Sequence, residues 1–322
     1  MNQASHPSPK QHWAHLNEVS FVAGMRILFS IYRLLGPWPF RLILAPVLLW
    51  YVLTQKNARA ASRTYLQRLN RQYDLQLSCT LFGILKHFAS FAETILDKML
   101  LWGGLYPLDQ VQFIGRDTIH QQISEKKGGL LICSHMGNVE ICRVLSRQFP
   151  EVKLTILVHT KHAEQFNRMM EKINPHSQMN LLQVTDMNPA MAMLLNEKIE
   201  RGEFIVIAGD RIPVSPNPRT TTASFLGESA PFAVGPYVLA SVLRCPVYFM
   251  FSLLIKDVPQ VHFEKICDEV ILPRKGREQV FQQLAAQYAA RMEYFCQQAP
   301  YQWFNFFDFW HLPPMDISDA SR

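Results

Sequence analysis

None of the six cysteines (Cys79, Cys133, Cys142, Cys245, Cys267 and Cys296) stands in C-x-x-C spacing with another. A zinc site and a disulfide framework are therefore disfavoured, and most of these residues lie in apolar stretches, as buried reduced thiols facing the cytosol do. Charge is also scarce: 18% of residues are charged and 48% are hydrophobic. The chain is too apolar for an average soluble enzyme and not apolar enough for a multi-span membrane protein. No charge-free run is long enough for a comfortable span, because Leu42–Gln55 falls short of about 20 residues. No cleavable signal is expected: residues 1–20 are polar, and no small-residue cleavage pattern follows the apolar segment that begins near Phe21. Low-complexity tracts and internal repeats are likewise missing.

What charge there is lies unevenly. Residues 1–75 hold nine Lys and Arg against two acids, Glu18 and Asp74, and the rest of the chain is nearly balanced. A segment both basic and apolar points to an anionic lipid surface. No basic stripe or nucleic-acid motif follows, so nucleic acid is not expected as a partner. The division expected is a tail over 1–20, membrane-associating hydrophobic and basic helices over 21–75, and a body over 76–322. Within the second part, Pro37, Pro39 and Pro46 are expected to kink or break a helix. An interfacial anchor is favoured over a full span, with buried core helices as the alternative.

Helical spacing predicts a helix over Asn57–Asp74 with Ala58, Ala61, Tyr65, Leu69 and Tyr73 on one face. A second over Thr80–Trp102 carries a stripe of Phe82, Leu85, Phe88, Ala92, Ile95 and Met99. From Val111 the pattern alternates. Strands are predicted at Val111–Ile114, Gly129–Cys133, Lys153–Val158, Leu181–Val184, Phe204–Ala208, Pro246–Leu254 and Gln260–Ile266. Helices are predicted from Asp117 as a cap to Lys126, at Asn138–Gln148 and His162–Ile173, from Pro189 to Arg201, and at Gln279–Gln298. Such alternation implies an α/β fold with a largely parallel central sheet flanked by helices, here behind an N-terminal helical membrane anchor. Ile212–Ser224, rich in Pro, Thr and Ser, reads as an irregular lid.

The segment 128–140, GGLLICSHMGNVE, is the most informative. An apolar strand delivers Ser134 and His135 to its carboxyl edge, where ligands of open α/β sheets gather. His135 and Glu140 are five residues apart, about 140° around a regular helix, and cannot share a helical face. His135 then sits on the turn and Glu140 in the first helical turns, where the side chains can converge. A carboxylate on one imidazole nitrogen sets the tautomer and raises the basicity of the other. A structural histidine remains the alternative. A metal site lacks further ligands, and a serine hydrolase built on Ser134 lacks the G-x-S-x-G elbow.

The strand followed by H-x-x-x-x-E and a helix resembles the first signature of the lysophospholipid acyltransferase superfamily, which includes the bacterial lipid A late acyltransferases. The resemblance implies that His135 deprotonates an acceptor hydroxyl, Glu140 orients it, and the attacked group is a thioester on acyl carrier protein or coenzyme A. It continues through His159 and Asn167, through Asp210 and Arg211 after the strand at 204–208, and through Phe225, Gly227 and Gly235. These residues, with Gly137 and Asn138, are the implied substrate-binding set. Trp303 falls where the family carries a Pro/Trp segment. The Phe-Pro-Glu-Gly phosphate-binding element of the glycerolipid branch is replaced by Pro231-Phe-Ala-Val-Gly235, without the Glu.

Read for itself, Arg211 suits an acceptor phosphate or the pantetheine phosphate, or forms a structural pair with Asp210. Backbone N–H groups near Gly137 and Asn138 are candidates for an oxyanion site. The aromatic run Trp303–Trp310 lines an acyl groove, dips into the interface or closes the core. The expected activity is transfer of an acyl chain from acyl carrier protein or coenzyme A to a hydroxyl of a membrane lipid or glycolipid, with no tightly bound cofactor or metal. The expected location is the cytoplasmic face of the bacterial inner membrane, and acyl carrier protein is the favoured donor. A lipid hydrolase or thioesterase, and a non-catalytic lipid-binding protein, are the rival readings.

Overall fold

The structure is a computed structural model, and it describes residues 27–142, 152–158, 180–183, 188–212 and 218–311. Its helices are α1 (Ile27–Leu35), α2 (Trp38–Thr54), α3 (Lys56–Tyr73), α4 (Leu81–Trp102), α5 (Arg116–Ser124), α6 (Pro189–Glu200), α7 (Gly235–Leu243) and α8 (Arg277–Gln298). Its strands are β1 (Gln112–Ile114), β2 (Gly129–Cys133), β3 (Lys153–Val158), β4 (Asn180–Gln183), β5 (Glu203–Ala208), β6 (Thr220–Phe225), β7 (Glu228–Ala233), β8 (Val247–Ile255) and β9 (Val258–Cys267).

Seven strands form one sheet in the order β1-β9-β8-β2-β5-β3-β4. The five from β8 to β4 run parallel, β9 turns back antiparallel to β8, and β1 lies parallel to β9. The expectation of a largely parallel sheet between helices therefore holds. β2 is central and buried along its whole length. Its side chains alternate between two cores, as strand geometry requires. Leu130 and Ile132 join the larger core with Tyr65 and Leu66 of α3 and Phe281, Tyr288 and Phe295 of α8. Leu131 and Cys133 join a second core with Ile119 of α5 and Leu101 of α4. Full burial of one such aliphatic side chain stabilises the fold by about 1.5–3 kcal/mol. Four of the six cysteines, Cys133, Cys142, Cys245 and Cys296, are buried.

Several local expectations change. The inner stripe of α4 begins at Ile84 and runs through His87, Phe88 and Ala92, while Phe82 is exposed. The cap of α5 is Gly115 at φ 74°, and Asp117 lies in the first turn without a capping bond. Only a residue without a Cβ fits there, because a Cβ on Gly115 would meet the Phe263 carbonyl. After His135 the described chain forms a short 3-10 turn over Val139–Cys142 in place of the start of a regular helix. The rest of that expected helix, the one at 162–173, and residues 213–217 of the expected lid fall outside the described residues. The end of the expected lid, Thr220–Ser224, is strand. β6 and β7 form an antiparallel hairpin around Leu226 and Gly227, both at positive φ, as a two-residue primed turn demands.

At the N-terminal end, α1 and α2 meet at 118°, across Gly36 at φ 71° and Pro37. The break falls where Pro37 was expected to make one, but α2 runs unbroken through Pro46. Among the described residues no single helix is long and apolar enough to cross a membrane, and α1 and α2 pass that test only as a bent pair. Leu42, Ile43, Val47, Trp50 and Leu53 of α2 are exposed, and Val52 alone is buried. A small core of Val52, Ala58, Ile84 and Phe88 ties α2 to α3 and α4.

Candidate active site

The site forms where β2 and β5 end together. Their parallel register pairs Cys133 with Ala208. His135 and Asp210 each lie two residues past that pair and so emerge side by side. The end of β2 is fastened twice, since the Cys133 carbonyl accepts from Gly209 N at 2.8 Å and from the Tyr288 hydroxyl of α8 at 2.7 Å.

Asp210 is buried and makes three bonds. Its Oδ1 is 2.8 Å from His135 Nδ1, and its Oδ2 accepts from His135 N at 2.8 Å and from Trp303 Nε1 at 3.1 Å. Burial pushes the Asp210 carboxyl up. The charges of His135 and Arg211, with the His135 bonds, outweigh it and hold the group below its ordinary value. An ionised Asp210 only accepts, so Nδ1 of His135 carries the proton and Nε2 is left as the basic nitrogen. The His135 side chain keeps 45% of its surface exposed, against 1% for Asp210. A base oriented from behind and open in front can take a proton from a substrate hydroxyl.

The carboxylate that meets Nδ1 is that of Asp210, a residue the sequence placed in the substrate-binding set while giving the orienting role to Glu140. Glu140 lies on the 3-10 turn, half-buried, with its N–H on Asn138 Oδ1 at 3.2 Å. The sheet register brings Asp210 to Nδ1.

Gly137, at φ 53°, makes that turn possible. A Cβ there would stand 2.2 Å from the Ser252 carbonyl oxygen of β8. Its N–H donates to the Gln302 carbonyl at 2.8 Å, so it is not available to an oxyanion, contrary to the expectation. Asn138 is buried. Its carbonyl accepts from Ser252 Oγ at 2.7 Å, and its Nδ2 has no partner among the described residues. Beside it opens a cleft lined on one side by Ser90, Glu93, Thr94 and Asp97 and elsewhere by Ile141 and Leu253. Burial first, then the neighbouring Glu93, pushes the Asp97 carboxyl up to about 6, against the pull of Arg41.

Arg211 donates from Nη2 to the Phe304 carbonyl at 2.9 Å and covers the Phe307 ring at 4.7 Å. Burial lowers its pKa and Asp210 opposes the drop. Phe225 is fully buried, edge-on to Trp303 at 5.1 Å, and supports the site from within the core rather than meeting a substrate. Gly227 belongs to the hairpin turn and Gly235 opens α7. His159 and Asn167 lie outside the described residues.

Sequence reasoning singled out Trp303 and its aromatic run but not their bonds to the turn at His135. Trp303 bridges Met136 in antiparallel fashion, with Phe304 N donating to the His135 carbonyl at 3.0 Å. It also missed His87 and Ser62, which stand behind Trp303: His87 Nε2 lies 2.9 Å from the Trp303 carbonyl and Nδ1 2.9 Å from Ser62 Oγ. A histidine inside the apolar stripe of α4 was the one available signal.

No curated protein matches this chain. The family model described as bacterial lipid A biosynthesis acyltransferase matches residues 85–311, a span that holds His135, Asp210 and Trp303 and most of the sheet. The chain belongs to the bacterial lipid A biosynthesis acyltransferase family.

Proposed function

We propose that the protein moves a fatty acyl chain from a thioester donor, acyl carrier protein or coenzyme A, onto a hydroxyl of a membrane lipid or glycolipid. The observation that carries this reading is the His135 Nδ1–Asp210 Oδ1 bond with Nε2 facing outward. Nε2 takes the hydroxyl proton as the acceptor oxygen bonds to the thioester carbonyl carbon. The tetrahedral intermediate collapses, the carbon–sulfur bond breaks, and the departing sulfur receives the proton from the imidazolium. Asp210 stays ionised and stabilises that imidazolium. Arg211 adds positive charge for a phosphate of the donor or acceptor, and Glu140 borders the site from the turn.

The exposed apolar residues of α2, with Arg33, Arg41, Lys56 and Arg59 nearby in sequence, support seating on an anionic bilayer. The cytoplasmic face of a bacterial inner membrane fits both such a surface and an acyl carrier protein donor.

The test is purified protein with labelled acyl carrier protein or acyl coenzyme A and vesicles made from bacterial lipids. Label appearing in a lipid, and lost in His135→Ala, supports the proposal. Label released only as free fatty acid makes the protein a hydrolase, and full transfer by His135→Ala removes His135 as the base.

A further inference from the structure

Trp303 is held through its carbonyl, its indole N–H and its two chain neighbours. The residues on either side bond to the catalytic turn: Gln302 O accepts from Gly137 N, and Phe304 N donates to His135 O. Its own carbonyl faces His87 Nε2 at 2.9 Å. A carbonyl only accepts, so Nε2 of His87 carries the proton and Nδ1 accepts from the Ser62 hydroxyl. Ser62 and His87 are fully buried. Burial lowers the His87 pKa to about 4, so the ring stays neutral and this pattern persists across the physiological range. The indole is wedged edge-on between Tyr65, Phe225 and Phe309 at 5.0–5.1 Å. Its Nε1–H has one direction available, and Asp210 Oδ2 lies along it.

We propose that Ser62, His87 and Trp303 form a buried strut that positions Asp210 and, through it, sets the proton affinity of His135. The three are positioning residues. Each acts through the next, and none touches the reacting atoms. The function of this strut rests on the reading of His135 as the base.

The indole N–H draws charge from Asp210 that would otherwise reach the imidazole. Without that donor the carboxylate is a stronger acceptor towards Nδ1–H, and protonated His135 is favoured. Other groups around Asp210 are Arg211, Cys133, and Tyr288 and Cys296 of α8, while Glu140 lies on the turn that follows His135. None of them is changed by substitutions in the strut.

The experiment is NMR of the full-length protein labelled with nitrogen-15 histidine, following His135 against pH, which needs no substrate. Trp303→Phe keeps a ring and removes the donor. It is expected to raise the pH at which His135 takes its second proton by about one unit, tenfold in affinity, and to move the Nδ1–H proton signal downfield. His87→Leu is expected to shift the titration in some degree. His87→Gln, whose Nε2 can replace the donor to the Trp303 carbonyl, is expected to restore the wild-type curve. An unmoved titration in Trp303→Phe, or identical behaviour of His87→Leu and His87→Gln, overturns the strut. Should Trp303→Phe fail to fold, the His87 pair decides alone. If acyl transfer survives His135→Ala, the catalytic reading falls while the NMR result stands.

Discussion

The carboxylate of Asp210 meets His135 twice, once at the imidazole Nδ1 and once at the main-chain N–H, both at 2.8 Å. A side chain that bonds ring and backbone of one residue sets the ring orientation as well as its tautomer. Because both residues extend from neighbouring parallel strands, that orientation is inherited from the register of the sheet.

Asp210→Asn is expected to lower the turnover of acyl transfer by about 10³–10⁴-fold, as the analogous change does in other carboxylate-oriented histidine sites. Asparagine presents an amide N–H or an uncharged oxygen to Nδ1. Glu140→Gln is expected to cost less. Steady-state transfer rates at saturating donor compare the two, and a larger loss for Glu140→Gln would return the orienting role to that residue.

Gly137→Ala is expected to destabilise the protein by more than about 2 kcal/mol, since it combines positive φ with a Cβ clash against backbone. Urea denaturation followed by circular dichroism measures it. A wild-type midpoint would mean that β8 yields easily at Ser252.

The buried His87 makes stability depend on pH. Its folded pKa, about 4, lies below the unfolded value of about 6.5. The unfolded state therefore binds the proton first as pH falls, and the contribution is complete above about 6.5 and lost progressively down to 4. Relative to His87→Gln, wild type is expected to lose about 3 kcal/mol between pH 7 and pH 4. Parallel stability curves for the two proteins would contradict this.

Asp97 has the opposite sign. Its folded value of about 6 is above the ordinary value of 3.8, so the native state is the one that holds the proton. The stability it contributes is full below 3.8 and lost as pH rises through 6. Asp97→Asn is expected to raise the melting temperature at pH 8, by up to about 3 kcal/mol of stability, and to have little effect at pH 4.

Leu42→Ser with Trp50→Ser removes two exposed apolar side chains from α2. Binding to anionic vesicles, measured by flotation, is expected to fall at least about tenfold, because burying each in lipid is worth roughly 1.5–3 kcal/mol. The melting temperature is expected to stay put. Undiminished flotation would assign the membrane contact elsewhere.

The sequence was most legible where structure is local. The strands Gly129–Cys133 and Lys153–Val158 were readable to the residue, because short apolar runs bounded by Gly, charge or turn residues have few other solutions. The position of His135 at a strand end followed from the same runs. Its partner did not, because the adjacency of β2 and β5 is a property of strand order and Asp210 lies 75 residues further on. Sequence proximity favoured Glu140, and sheet topology favoured Asp210. The hairpin of β6 and β7 was hidden by its Thr- and Ser-rich first strand, which reads as loop. His87 was passed over because a histidine on an apolar stripe looks like filler until its two nitrogens are seen to be bonded.

The stitching of Gln302, Trp303 and Phe304 onto the turn at His135 has a consequence for biosynthesis. The histidine emerges from the ribosome long before the tryptophan that steadies its partner. A message cut short between Cys267 and Gln302 would yield a chain that carries every strand of the sheet but lacks the segment that braces the centre.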